Sequence, residues 1–170
     1  NENDSLFGGA GGDALSGGLG VDVADYSLSA AGVTVSLQTG VGTGGDAAGD
    51  TLAGVENLVG SVGDDTLVGN GLANDLFGGD GNDTVTGGAG NDRFVGGLGN
   101  DAISGGVGID TVDYANSNAG VTINLQLQTA TGGFAQGDTV SGIENVTGSN
   151  AADSLTGSEV ANRLIGQSGA

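Results

Sequence analysis

A single apolar residue recurs every nine positions along much of the chain, each time between neighbours that are free to be polar. Leu67, Leu76, Val85, Phe94, Ile103 and Val112 form the longest series, and Leu6 and Leu15 follow the same rule. Two places before each stands an acidic or amide residue: Asp65, Asn74, Asp83, Asp92, Asp101 and Asp110, with Asp4 and Asp13 in the earlier copies. Three residues that point outward, inward and outward have the period of a β-strand, so the apolar side chain predicts the buried face. The preceding places carry glycine at the first, second and fourth positions in G-G-D-G-N-D-T-V-T (78 to 86) and in the three copies that follow through residue 113. Glycine there lets the backbone turn sharply with positive φ. Each nonapeptide therefore predicts one turn and one strand. A strand so short cannot bury its apolar side alone, so two nonapeptides complete a flattened coil that stacks on its neighbours. The fold class expected is all-β, a right-handed parallel β-roll or β-solenoid forming one domain over residues 1–170.

A longer repeat contains the shorter one. Positions 88 apart match without a gap at Asp22 and Asp110, Tyr26 and Tyr114, Asp50 and Asp138, Glu56 and Glu144, and Asn74 and Asn162. The chain thus reads as two tandem units, 1–88 and 89–170, the second incomplete. In each unit the nonapeptides are interrupted by D-Y, a G-V-T-V-S-L or G-V-T-I-N-L segment, a glycine-rich loop, and E-N-L or E-N-V. Val33 to Leu37 and Val121 to Leu125 are expected as longer strands in the stack, with the loops at 38–49 and 126–137 bulging from one edge. The unit reads as an odd number of strands, which would set successive units a half turn apart. Neither end shows a capping segment, so the chain is expected to be an excerpt of a longer array able to stack end to end.

Composition narrows the chemistry. With 21 acidic residues against two basic ones, Arg93 and Arg163, the formal net charge is -19. No basic patch exists to replace the counterions of a nucleic acid or to meet an anionic membrane. So acidic a chain, with 4% aromatic residues, stays disordered unless cations supply the missing charge. Cysteine and histidine are both absent, which removes disulfides, thiolate or imidazole metal sites and serine-histidine triads. Oxygen is the donor that remains for a metal. No apolar run approaches the roughly 18 residues of a membrane span, and no signal-peptide pattern opens the sequence.

The G-G-x-G-x-D series resembles the RTX (repeats-in-toxin) calcium-binding nonapeptides, and the resemblance extends over almost the whole chain. It implies a parallel β-roll with several Ca²⁺ ions bound in the turns, each between one loop and the loop a layer above. The implied donors are both aspartates, the second- and fourth-place carbonyls of the lower loop, and the first- and third-place carbonyls of the upper. Carried onto this chain, one site takes Gly79, Gly81 and Asp83 with Gly96, Leu98 and Asp101. Its counterpart on the opposite edge takes Gly88, Gly90 and Asp92 with Gly105, Val107 and Asp110. A third takes Ser61, Gly63 and Asp65 with Gly78, Asp80 and Asp83. Asp4 with Asp22, Asp22 with Asp50, and Asp110 with Asp138 are further pairs, and Asp13 and Asp153 hold the same motif place. Asn74 and Asn162 replace the carboxylate, and weak sites are expected there. Glu56 and Glu144 read either as ligands or as turn acids. Tyr26 and Tyr114 read as packing residues, Arg93 and Arg163 as outward strand residues, solvated or ion-paired.

Function follows from the same resemblance. The chain is expected to stay unfolded where calcium is scarce and to fold in the extracellular medium after type I secretion from a Gram-negative bacterium. Its partners would be calcium ions and neighbouring copies or flanking repeats, with no nucleic acid and no direct membrane insertion. Two roles compete: a structural repeat of a long surface protein, adhesin, surface layer or filament, and a secretion and folding module beside an enzyme or toxin domain. No catalytic centre is expected, because the nearest paired carboxylates, Asp64 with Asp65 and Asp110 with Asp113, are explained by the repeat.

Overall fold

A computed structural model describes residues 2–169, so Asn1 and Ala170, the end positions of the expected solenoid, lie outside the described residues. Its strands are short. In chain order they are β1 (Ser5–Leu6), β2 (Ala14–Ser16), β3 (Val23–Asp25), β4 (Thr34–Ser36), β5 (Val41–Thr43), β6 (Thr51–Ala53), β7 (Asn57–Val59), β8 (Thr66–Val68) and β9 (Asp75–Asp80). They continue with β10 (Thr84–Ala89), β11 (Arg93–Leu98), β12 (Ala102–Val107), β13 (Thr111–Asp113), β14 (Thr122–Asn124), β15 (Thr129–Thr131), β16 (Thr139–Ser141), β17 (Asn145–Thr147), β18 (Ser154–Thr156) and β19 (Arg163–Ile165).

These strands form two sheets, as the nonapeptide pattern requires. The first has 8 strands in the order β1-β3-β7-β9-β11-β13-β17-β19, all parallel. The second has 11, in the order β18-β14-β15-β16-β12-β10-β8-β4-β5-β6-β2. In the regular stretch Thr84 pairs with Ala102 and Val85 with Ile103, one layer onward. The predicted inward residues are buried: Leu67, Leu76, Val85, Phe94, Ile103 and Val112 are each at most 2% exposed. Stacked inward side chains of this kind make a thin core in which each layer covers the next. On the outer face Arg93 pairs with Asp113 at 2.7 Å and lies 5.2 Å from the Phe77 ring centre. No helix among the described residues is long and apolar enough to cross a membrane.

The structure corrects three expectations. Strands β9 to β12 are six residues long because the glycine pairs join the ladder, with Gly88 opposite Gly106 and Gly79 opposite Gly97. By contrast β4 and β14 have three residues and are no longer than their neighbours.

The segments 38–49 and 126–137 do not bulge. Each supplies an antiparallel strand, β5 or β15, and a 3-10 turn, Gly45–Ala47 or Gly133–Ala135, whose closing alanine is 0% exposed. The chain runs forward to β4, which pairs with β8, returns through β5, and lays β6 beside β2.

This excursion also removes the expected half turn. Because β4, β5 and β6 all lie in one sheet, the number of crossings between sheets in a unit is even. Residues 88 apart therefore occupy the same sheet: β3 and β13 in the first, β4 and β14 in the second.

Candidate metal centre

Each ligand-place residue stands immediately before a strand, so the two sheets draw these residues into two rows. The first row is Asp4, Asp22, Glu56, Asn74, Asp92, Asp110, Glu144 and Asn162, leading into the 8-stranded sheet. The second contains Asp13, Asp50, Asp65, Asp83, Asp101, Asp138 and Asp153. Within a row one carboxylate oxygen is satisfied by the backbone of the layer behind. The Asp65 N–H donates to Asp83 Oδ1 at 2.9 Å, Asp83 to Asp101 at 2.9 Å, and Asp101 to Asp138 at 2.8 Å. Likewise Asp4 donates to Asp22 at 2.7 Å, Asp13 to Asp50 at 2.8 Å and Asp92 to Asp110 at 2.8 Å.

The other oxygen is where the chemistry lies. Among the described residues, Oδ2 of Asp13, Asp22, Asp83, Asp92, Asp101, Asp110 and Asp153 is buried and accepts no hydrogen bond. An ionised oxygen removed from water without a partner is strongly destabilising, so a proton or a cation must meet it. Burial, with the charges of Asp101 and Asp65 added, pushes the Asp83 carboxyl up to about 7. Burial also raises Asp92, Asp101 and Asp110.

Backbone carbonyls complete the surroundings. The carbonyls of Gly79 and Gly81 press on the α-carbons of Gly97 and Gly99 in the loop above, where a Cβ has no room. Gly96 O faces the Gly78 α-carbon beside Asp83 Oδ2. Gly96 O and Asp83 Oδ2 thus lie together, Asp101 Oδ2 lies beside Gly96, and the Gly79 and Gly81 carbonyls face the loop above. The expected Leu98 carbonyl also faces the lower loop, where it accepts the Gly81 N–H at 2.8 Å. Gly79 and Gly81 hold φ of 120° and 121°, a backbone that permits this close approach and disfavours other residues.

The opposite edge repeats the arrangement. Gly88 O and Gly90 O meet Gly106 and Gly108, Gly105 O faces Gly87 beside Asp92 Oδ2, and Val107 O accepts the Gly90 N–H at 2.9 Å. The third expected site differs. Ser61 O and Gly63 O meet Gly79 and Gly81, Gly78 O lies beside Asp65 Oδ2, and Asp80 is the exposed last residue of β9. Asp65, however, is already satisfied: Oδ2 accepts the Ser61 N–H at 2.5 Å, and Oδ1 accepts the Ser61 hydroxyl and the Val33 N–H, both at 2.7 Å.

Among the described residues no three acidic side chains converge on one point. A site here offers two carboxylates with carbonyls from both loops, an all-oxygen set that suits calcium, which takes six to eight oxygens in flexible geometry. The residues fit the ion: it would meet the orphaned Oδ2 atoms, and the chain's part is to hold the carboxylates and carbonyls in place.

Two expected pairs are not brought together. Asp22 and Asp110 belong to the first row, Asp50 and Asp138 to the second, because the excursion places β6 beside β2 and β16 beside β12. The neighbour of Asp22 is Glu56, whose Oε2 accepts the Asp22 N–H at 2.9 Å, and Glu144 does the same for Asp110 at 2.9 Å. The remaining oxygens of Asp50 and Asp138 are met by the hydroxyls of Tyr26 at 3.0 Å and Tyr114 at 2.9 Å. Both tyrosines are buried, and that burial and the adjacent carboxylates raise their pKa values, so they stay protonated donors. They are more than packing residues.

Asn74 and Asn162 donate through Nδ2 to the carbonyls of Glu56 at 2.6 Å and Glu144 at 2.9 Å. The fifth loop place, not singled out from the pattern, carries an outer ladder: Asn82 N–H to Asp64 at 2.7 Å and Asn100 N–H to Asn82 at 3.0 Å. Its only sequence signal is the recurrence of Asn82, Asn91 and Asn100.

A family described as the RTX calcium-binding nonapeptide repeat matches residues 1–24, 50–85 and 77–112 in 4 copies, together more than half of the chain. No curated protein matches it.

Proposed function

The chain belongs to the RTX calcium-binding nonapeptide repeat family and is a calcium-binding repeat module, and we propose that it is an extracellular structural segment that folds on calcium after secretion. The carrying observation is the set of buried, unpartnered Asp Oδ2 atoms, which make the fold costly without cations. With a net charge of -19 and 39 glycines, the chain loses much entropy and gathers like charge on folding. Where calcium is scarce the unfolded, secretable chain wins. In millimolar calcium, ions that bind the folded chain alone stabilise it by mass action. Equivalent residues of the two 88-residue units lie on the same sheets, so the rows continue in phase from unit to unit. That supports a place in a long repetitive bacterial surface protein, adhesin, surface layer or filament, with the segment itself performing no reaction.

The test is far-ultraviolet circular dichroism on the purified chain. EDTA should abolish β-structure, millimolar Ca²⁺ should restore it, and Mg²⁺ should substitute poorly because it demands a tight octahedral shell. A spectrum indifferent to chelation would sink the reading.

A further inference from the structure

We infer that Glu56 and Glu144 each complete a calcium site with the aspartate one layer behind, so that Asp22/Glu56 and Asp110/Glu144 are cation sites that depart from the nonapeptide pattern. This inference rests on the calcium reading above. The first observation is an orphan: Asp22 and Asp110 are both 0% exposed, and Oδ2 of each is buried without a hydrogen-bond partner among the described residues. The second is the company those atoms keep. Gly54 O approaches the α-carbon of Gly17 together with Asp22 Oδ2, and Gly142 O approaches that of Gly105 together with Asp110 Oδ2. From the other side Gly18 O lies 3.2 Å, and Gly106 O 3.6 Å, from where a Cβ would stand on Gly54 and Gly142. The same oxygens thus gather twice: an orphaned Asp carboxylate, a Glu carboxylate, and one carbonyl from each of the two turns.

The glutamate follows a shortened turn. In a nonapeptide loop four residues lie between the first glycine and the aspartate, as between Gly78 and Asp83, whereas only Val55 lies between Gly54 and Glu56. Glu56 nonetheless stands level with Asp22, since Asn57 pairs with Val23. Glu56 Oε2 then accepts the Asp22 N–H at 2.9 Å, as Asp101 Oδ1 does for Asp83 at 2.9 Å. Its second oxygen remains for a cation. Without a cation two carboxylates would stand together beside a buried, unsatisfied oxygen, an arrangement that like-charge repulsion opposes.

Glu56→Gln and Glu144→Gln separate the possibilities, because glutamine keeps a carbonyl acceptor for the Asp N–H and loses only the charge. Bound ions are counted by equilibrium dialysis with radioactive calcium, and the calcium midpoint of folding is read by circular dichroism. Each single variant should bind one ion fewer, the double variant two fewer, and the midpoint should rise several-fold. If the glutamates are only turn acids, removing a like charge leaves the ion count unchanged and lowers the midpoint, which overturns the inference. Should one variant stay unfolded at calcium that saturates the unsubstituted chain, the count on the other decides by the same rule. An unsubstituted chain that binds no calcium would overturn the parent reading; one that loads fully while the variants load equally overturns this inference alone.

Discussion

The stretch from 78 to 113 and the excursion from Tyr26 to Leu52 treat a buried carboxylate in opposite ways. In the regular stretch Asp83, Asp92, Asp101 and Asp110 each keep one oxygen with no donor among the described residues. In the excursion Asp50 receives the Tyr26 hydroxyl and the Asp13 N–H, and Val33, just before β4, donates its backbone N–H to Asp65. One region leaves the charge for an ion; the other quenches it with its own hydrogens. A carboxylate met by neutral donors needs no cation to be tolerated, so the two regions should depend differently on calcium and on pH.

The largest expected effect is of acid on the metal-free chain. Burial pushes Asp83 in the regular stretch up to about 7, and Asp138 in the second excursion up to about 6, from an ordinary 3.8. Between pH 4 and 7 the folded chain therefore holds more protons than the unfolded one, and stability falls as pH rises across that window. Metal-free protein should gain β-structure near pH 4.5 and lose it by pH 7.5. Calcium added near pH 6 should release protons into a weakly buffered solution. Circular dichroism and a pH electrode check both, and metal-free protein equally disordered at both pH values would break the account.

Next comes loss of a single ligand-place aspartate. Asp101→Ala removes a carboxylate shared by two layers and leaves the Asp83 N–H without its acceptor. Breaking a buried charged arrangement from one side costs about 3–5 kcal/mol. Asp46→Ala or Asp75→Ala, outside the ligand place, should change stability by about 0.5 kcal/mol or less. Calcium titrations of folding compare them, and equal shifts at all three positions would mean that bulk charge governs folding.

Tyr114→Phe probes the excursion. It removes the hydroxyl at 2.9 Å from a buried oxygen of Asp138, leaving an unsatisfied acceptor at a cost of about 1–3 kcal/mol. Urea unfolding in saturating calcium should register that loss while the bound-ion count stays unchanged. A variant that regains its stability by taking up one more ion would show the tyrosine standing where a cation otherwise goes.

The regular stretch was legible because every signal agreed: glycine spacing, aspartate and inward apolar residue repeat together from 78 to 113. The excursion hid its strands for a physical reason. In β5 the inward residue is Gly42, which is buried and whose missing side chain leaves no apolar mark, and in β15 it is only Ala130. Strand order was hidden too, since the period places Val35 on a buried face without saying whether β4 stacks beside β2 or β8. Once β6 rather than β4 lies beside β2, Asp50 joins Asp13 and leaves Asp22 to Glu56. The glutamate itself was marked, because Leu58 follows it by the same two places as elsewhere, but the shortened turn broke the nine-residue count. Tyr26 meets Asp50 across 24 residues, a contact decided by the return path of β5 and by nothing local.

The smallest effect compares the two excursions with each other. At the turn that leads into the antiparallel strand, the first unit has Gly40 at φ 68° and the second has Gln128 at φ 57°. A side chain in this left-handed region crowds its own backbone, at about 1–2 kcal/mol, while glycine costs about 0.5–1 kcal/mol of extra chain entropy on folding. Gln128→Gly should therefore stabilise the chain by about 1 kcal/mol at most. The turn closes a segment held by the protein's own donors, among them Tyr114 on Asp138 and the Ser117 hydroxyl, which accepts the Phe134 N–H at 3.1 Å. Its gain should consequently be the same at every calcium concentration that supports folding, whereas the cost of Asp101→Ala should shift the calcium midpoint. Urea unfolding at two calcium concentrations makes the measurement. A Gln128→Gly gain that grew with calcium would mean that the excursion is coupled to the ion rows, and the division between the two regions would fail.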